Sequence, residues 1–130
     1  MATVEITVEN FKQTIEKDGI VLLDWWAPWC APCRMFGPIF ERTSEKHPDI
    51  TFGKVNTEDQ QALAAEFSIS SIPTLMVFRD RVLLFAQPGM LPEAVLEDLI
   101  KQVRNLDMAD VKKQIAEEAA KQEQPPAPQD

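Results

Sequence analysis

The chain has 130 residues, a formal net charge of −8, and 45% hydrophobic and 26% charged residues. That length supports one domain with its own core, and the composition is that of a folded protein. The acidic balance disfavours nucleic acid and anionic membrane surfaces, and no apolar run approaches the roughly 20 residues of a membrane-spanning helix.

In chain order, Thr3 to Ile6 alternates and predicts a short edge strand. Thr7 is placed to N-cap a helix over Val8–Lys17, with Phe11 and Ile15 on one face, and Asp18-Gly19 supplies the turn that ends it. Ile20 to Trp26 is almost continuously apolar, which predicts a central strand covered on both faces, with Asp24 as its anomaly. Pro32 to about Lys46 has helical spacing, with Met35, Ile39 and Thr43 on one side and Phe36 and Phe40 beside them. Pro38 falls inside that run and predicts a kink. His47-Pro48-Asp49 closes the helix. His47 there is read as a positive partner for the helix C-terminus rather than as a catalytic base, because the helix separates it from Cys30.

Ile50 to Asn56 predicts a third strand, and Thr57-x-x-Gln60 a capping box opening a short helix through Phe67, with Leu63, Ala64 and Phe67 inward. Thr74–Phe78 and Val82–Ala86 read as a hairpin joined through Arg79-Asp80-Arg81, followed by a Gln87-Pro88-Gly89 turn. Pro92 fits the first position of a helix whose stripe is Leu96, Leu99, Ile100 and Val103. The expected units are a domain over 1–106, an accessory amphipathic helix over 107–121, and a disordered Pro/Gln-rich tail over 122–130. The seam of that helix, Met108, Val111, Ile115 and Ala119, is thin; docking on the domain is expected ahead of pairing with a partner helix. The first ten residues lack a basic region and a long apolar core, so no signal peptide is expected and the expected location is cytoplasmic.

The chemistry concentrates in Trp29-Cys30-Ala31-Pro32-Cys33-Arg34, which holds both cysteines and joins the most apolar strand to a helix. Cys30 falls at the helix N-terminus, where free N–H groups and the dipole stabilise a thiolate, the species that attacks disulfides. Cys33 lies about one turn on, within disulfide reach. A zinc site needs four ligands, and His47 is the only other Cys or His, so no metal is expected. A purely structural disulfide closing so short a loop constrains the unfolded chain little. Thiol–disulfide exchange is the reading that remains. The element order β-α-β-α-β-α-β-β-α gives an α/β fold, with a parallel sheet finished by an antiparallel hairpin and the site at strand carboxyl ends.

The sequence resembles the thioredoxin family over roughly residues 3–104. Asp24-Trp25-Trp26-Ala27-Pro28-Trp29-Cys30-Ala31-Pro32-Cys33 resembles its active-site segment. Pro38 falls on its helix-kinking proline, Lys54 on the lysine of its third strand, Ser71-Ile72-Pro73-Thr74 on its cis-proline loop and Gly89 on the glycine beyond its hairpin. Ala31 departs from the family's usual glycine, the hairpin turn lacks the usual glycine, and residues 107–130 run past the family's usual end.

The resemblance implies a thioredoxin-like fold, with a mixed five-stranded sheet of order 1-3-2-4-5 flanked by helices. It implies a reductase of protein disulfides, with Cys30 as nucleophile and Cys33, more buried, as resolving thiol. Asp24 is the candidate general base, pushed toward neutrality by burial and opposed by Lys54; the alternative is a solvated strand end. A docking surface is expected from Trp29, Ala31, Pro32, Ile72, Pro73, Gly89 and Met90, with Ile72 offering its backbone to an extended substrate. Met90 has a core role as its alternative. No bound cofactor is expected; electrons come from a flavin-dependent thioredoxin reductase, which joins disulfide-containing proteins as the expected partners of a monomeric chain. The competing functions are a thiol oxidase or disulfide isomerase, and a binding module that uses the C-terminal helix.

Overall fold

The computed structural model describes residues 2–123. Five strands, β1 (Thr3–Glu5), β2 (Ile20–Trp26), β3 (Thr51–Asn56), β4 (Thr74–Arg79) and β5 (Val82–Pro88), form one sheet in the order β1-β3-β2-β4-β5. The β1–β3 and β3–β2 pairs are parallel, and the β2–β4 and β4–β5 pairs are antiparallel. Helices α1 (Val8–Ile15), α2 (Ala31–Lys46), α3 (Gln61–Glu66), α4 (Glu93–Arg104) and α5 (Met108–Glu123) complete the chain. This is the expected α/β architecture and strand order.

Side chains alternate across a strand, so the apolar run of β2 feeds two cores. Ile20 and Leu22 join Phe36 and Phe40 of α2 and Leu96, Ile100 and Val103 of α4 on one face. Val21, Leu23 and Trp25 join Phe11 of α1 and Leu63 of α3 on the other. Asp24 is in phase with Ile20 and Leu22, which sets it on the α2/α4 face, where it is 0% exposed. Gly53 has no room for a side chain. A Cβ there would meet Ile6 at 2.6 Å and Leu23 at 2.9 Å.

Several local expectations change. Thr57 does not cap α3; its hydroxyl donates to the Trp26 carbonyl at 3.1 Å, and Gln60 accepts from the Val8 N–H at 3.0 Å. Both side chains serve tertiary partners, so the helix starts later, at Gln61. The buried side of α2 carries Cys33, Phe36, Phe40, Thr43 and Ser44, whereas Met35 is exposed. The helix continues through Pro38, and Pro92 is the N-cap of α4 rather than its first residue. The hairpin turns through Asp80 and Arg81, both at positive φ (49° and 72°), as a two-residue turn between right-twisted strands requires.

Helix α5 also differs. It takes in Gln122 and Glu123, and along its seam Met108 is 9% exposed and Val111 half-buried, whereas Ile115 is 48% exposed. The expected docking is therefore confined to the first turn, at Met108 and Val111. The rest of the expected tail, 124–130, lies outside the described residues.

Candidate redox site

The site is built where β2 ends and α2 begins. Cys30 is the N-cap of α2, with extended backbone (φ −87°, ψ 114°), and Pro32 occupies the first turn, where its missing N–H costs no helix bond. Cys30 and Cys33 are joined as a disulfide, with Cα atoms 5.2 Å apart. The Cys33 N–H donates to Cys30 Sγ at 3.2 Å. One of the unpaired N–H groups of the helix start is thus aimed at Cys30 Sγ.

The expected contrast in exposure between the two cysteines is slight in this oxidised form. Cys30 is 5% and Cys33 3% exposed, both packed with Ala27, Trp26 and Ile72. What distinguishes them is position. Cys30 Sγ lies 3.7 Å from the Ile72 carbonyl oxygen at the loop surface, while Cys33 faces a cleft lined by Trp26, Arg34, Gly37, Pro38, Glu41 and Lys54.

The Ile72–Pro73 peptide is cis, and Pro73 is buried, with its carbonyl accepting from the Gly89 N–H at 2.7 Å. Gly89 has φ +103°, a conformation that favours glycine. The surface around Cys30 is made by exposed Trp29, Ala31, Pro32 and Gly89, with Ile72 half-buried. Met90 is half-buried and packs against the main core, so its core alternative describes much of its side chain.

Asp24 and Lys54 are register partners on β2 and β3. Neither Asp24 carboxyl oxygen has a hydrogen-bond partner among the described residues. Burial pushes this carboxyl from 3.8 up to about 7, and the Lys54 charge works in the opposite direction. The Lys54 ammonium lies 4.6 Å from the centre of the Trp26 ring.

His47 is the C-cap of α2, at the end of the helix away from Cys30. Arg104 Nη2 lies 3.0 Å from its Nδ1, and its Nε2 lies 2.8 Å from Glu97 Oε2. A guanidinium only donates, so Nδ1 accepts and Nε2 carries the proton given to Glu97. These contacts tie α2 to α4 through the ring.

Two contacts carried no signal in the sequence. The exposed Trp29 indole donates to Glu58, which is presented by a turn in which Asn56 Oδ1 accepts from the Glu58 N–H at 2.9 Å. Arg34 Nη1 donates to the Pro28 carbonyl at 3.0 Å. Both tie down the loop that carries Trp29 just before Cys30. Among the described residues no three His, Cys, Asp or Glu side chains gather to hold a metal, and no helix is long and apolar enough to cross a membrane.

Comparison with known proteins gives the same assignment. The thioredoxin family model matches residues 2–104. A putative thioredoxin 2 of Streptomyces coelicolor is 56% identical over 119 residues, covering 92% of this chain and 89% of that protein. A thioredoxin of Alicyclobacillus acidocaldarius is 40% identical over 105 residues, 77% of this chain and 100% of its own. Among solved structures, a point-mutant thioredoxin from Halobacterium salinarum superposes with a TM-score of 0.73 at 28% identity, covering 80% of this chain and 92% of that one. With a closed dithiol at the head of α2, in the strand order expected of that fold, this chain belongs to the thioredoxin family and is a dithiol–disulfide oxidoreductase.

Proposed function

We propose that the chain works as a reductant of protein disulfides, with Cys30 attacking and Cys33 resolving. The observation that supports this assignment of roles is the Cys33 N–H aimed at Cys30 Sγ at 3.2 Å. In the dithiol form that N–H and the helix start favour charge on Cys30. The Cys30 thiolate attacks one sulfur of a substrate disulfide, and the other substrate sulfur leaves as a thiolate. Cys33 loses its proton and attacks Cys30 of the mixed disulfide. The substrate departs as a dithiol, and Cys30–Cys33 is left oxidised.

Asp24 is the proposed acceptor of the Cys33 proton, directly or through a water, and Lys54 modulates it. Trp29, Ala31, Pro32 and Gly89 form the proposed docking surface, with Ile72 and Pro73 offering backbone to an extended substrate segment. A flavin-dependent thioredoxin reductase returns two electrons and two protons to the pair, and the proposed compartment is the cytoplasm.

The test is the equilibrium reduction potential of Cys30–Cys33 in a dithiothreitol or glutathione buffer, followed by Trp fluorescence. A value near the reducing end, about −270 mV, is expected for a general reductant. A value closer to the isomerase range of about −180 mV would overturn the direction, though not the exchange chemistry, and would assign the change to Ala31 or its surroundings.

A further inference from the structure

The cleft behind Cys33 contains a carboxylate that the exchange steps above do not use. Cys33, Gly37 and Glu41 are four residues apart along α2 and so share one helix face. That face looks onto Lys54 and Trp26. Gly37 leaves room there: a Cβ at that position would sit 3.7 Å from Lys54 Nζ. The ammonium therefore lies over the turn between Cys33 and Glu41. Glu41 Oε2 accepts from Thr3 Oγ1 at 2.7 Å, whereas its Oε1 is buried and has no hydrogen-bond partner among the described residues. Lys54 makes no ion pair within 4.0 Å among the described residues, although Asp24 is its register partner on β2.

We propose that Glu41 is a positioning residue, whose carboxylate competes with that of Asp24 for the single Lys54 ammonium over Gly37. This rests on the reading of Asp24 as the proton acceptor and names what controls it. When Asp24 is ionised it draws Lys54 across the strand pair. When Asp24 takes the Cys33 proton it becomes neutral, and Lys54 turns to Glu41. Loss of the proton to solvent through the cleft reverses the motion. One positive charge serves two carboxylates in turn, so Asp24 is never left with a permanent counter-ion that would prevent it from accepting a proton near neutral pH.

The other charged groups around Asp24 are accounted for. On β1, Glu5 is the register partner of Lys54 on its far side and is exposed. On α2, Arg34 is turned to the Pro28 carbonyl, and Cys33 is the proton donor once reduced. On β4 the partner of Asp24 is Leu75, which does not titrate. On α4, Glu93 is taken by Arg42 and Lys46, and Glu97 by His47.

The test is a titration of the Asp24 side-chain carboxyl in the full-length oxidised protein, by carboxyl carbon NMR, in wild type and Glu41→Gln. Glutamine keeps an acceptor for Thr3, so the strand contact survives. Removing the Glu41 charge releases Lys54 to Asp24, and the Asp24 midpoint falls by about half a pH unit. In a Lys54→Met background the same substitution loses more than half of that shift, and Glu5→Gln in the wild type gives a smaller one. An unmoved midpoint, a shift equally large without Lys54, or an equal shift from Glu5→Gln overturns the inference, as does a loss of stability with no shift. The pH profile of mixed-disulfide resolution separates the underlying reading. If the NMR midpoint falls as expected but the rate profile stays in place, Asp24 is not the base, while the sharing of Lys54 stands.

Discussion

Asp24 is a carboxyl group with no exposed surface in the middle of an apolar strand, and its environment makes it a liability for the fold. Its folded value is up to about 7, with burial as the main cause and Lys54 as the opposing one. In the unfolded chain it ionises at about pH 4. Between about pH 4 and 7 the folded state thus holds a proton that the unfolded state has released, so stability falls with rising pH. The contribution is fully present below about pH 4 and lost through about pH 7, a loss on the order of a few kcal/mol. Asp24→Asn should flatten this dependence in urea-unfolding midpoints measured from about pH 4 to 8. An unchanged slope would show that the carboxyl is solvated in the folded state. The same variant should slow resolution of the mixed disulfide at neutral pH by roughly 10²-fold, the lower range for a lost general base. Equal rates would remove Asp24 from the mechanism. The sequence reached this residue because a charge inside an apolar run has a small set of physical outcomes. It did not reach Glu41 or Glu58, which look like ordinary surface carboxylates until the helix face and the turn that present them are known.

At the level of elements, the sheet owes its tight parallel half to Gly53. With Ile6 and Leu23 already inside ordinary contact of a Cβ, Gly53→Ala must displace their side chains. Overpacking of this kind costs about 1–3 kcal/mol, to be read as a lower urea midpoint with the reduction potential unchanged. A neutral substitution would mean that the Ile6 side chain gives way freely. The end of α4 is fixed by another cross-element contact. Arg79 Nη1 lies 2.8 Å from the Val103 carbonyl and 3.0 Å from that of Leu106, so β4 supplies donors to a helix C-terminus. Helix and strand identity were legible from the period of the apolar residues. The false capping box at Thr57-x-x-Gln60 shows the limit of such reading. A local motif offers donors and acceptors, and tertiary partners at Trp26 and Val8 outcompeted the helix for them.

For the whole molecule, the redox site and α5 are separable. The site is framed by β2, α2, the Ile72–Pro73 loop and Gly89, and α5 has only Met108 buried among its described residues. Truncation after Leu106 should leave the reduction potential and insulin-disulfide turnover unchanged, with a modest drop in melting temperature from the lost Met108 contact. A change in potential would place α5 in contact with the site in solution. The Streptomyces relative aligns over 92% of the chain, so the similarity continues past the 2–104 span of the family model into α5.

By itself the sequence determined the chemistry and the class of fold. Two cysteines at C-x-x-C spacing, between an apolar strand and a helix opened by proline, leave few alternatives, and apolar periods of about two and about four identify the elements around them. Only the tertiary structure decided which polar groups share the surroundings of Cys33. Parallel pairing of β2 with β3 brings Lys54 beside Asp24, and the packing of α2 over that pair adds Gly37 and Glu41. Periodicity reports which side of its own element a residue occupies. It carries no information about which residues of a distant element will face it, because that depends on how strands cross over and in what register they pair.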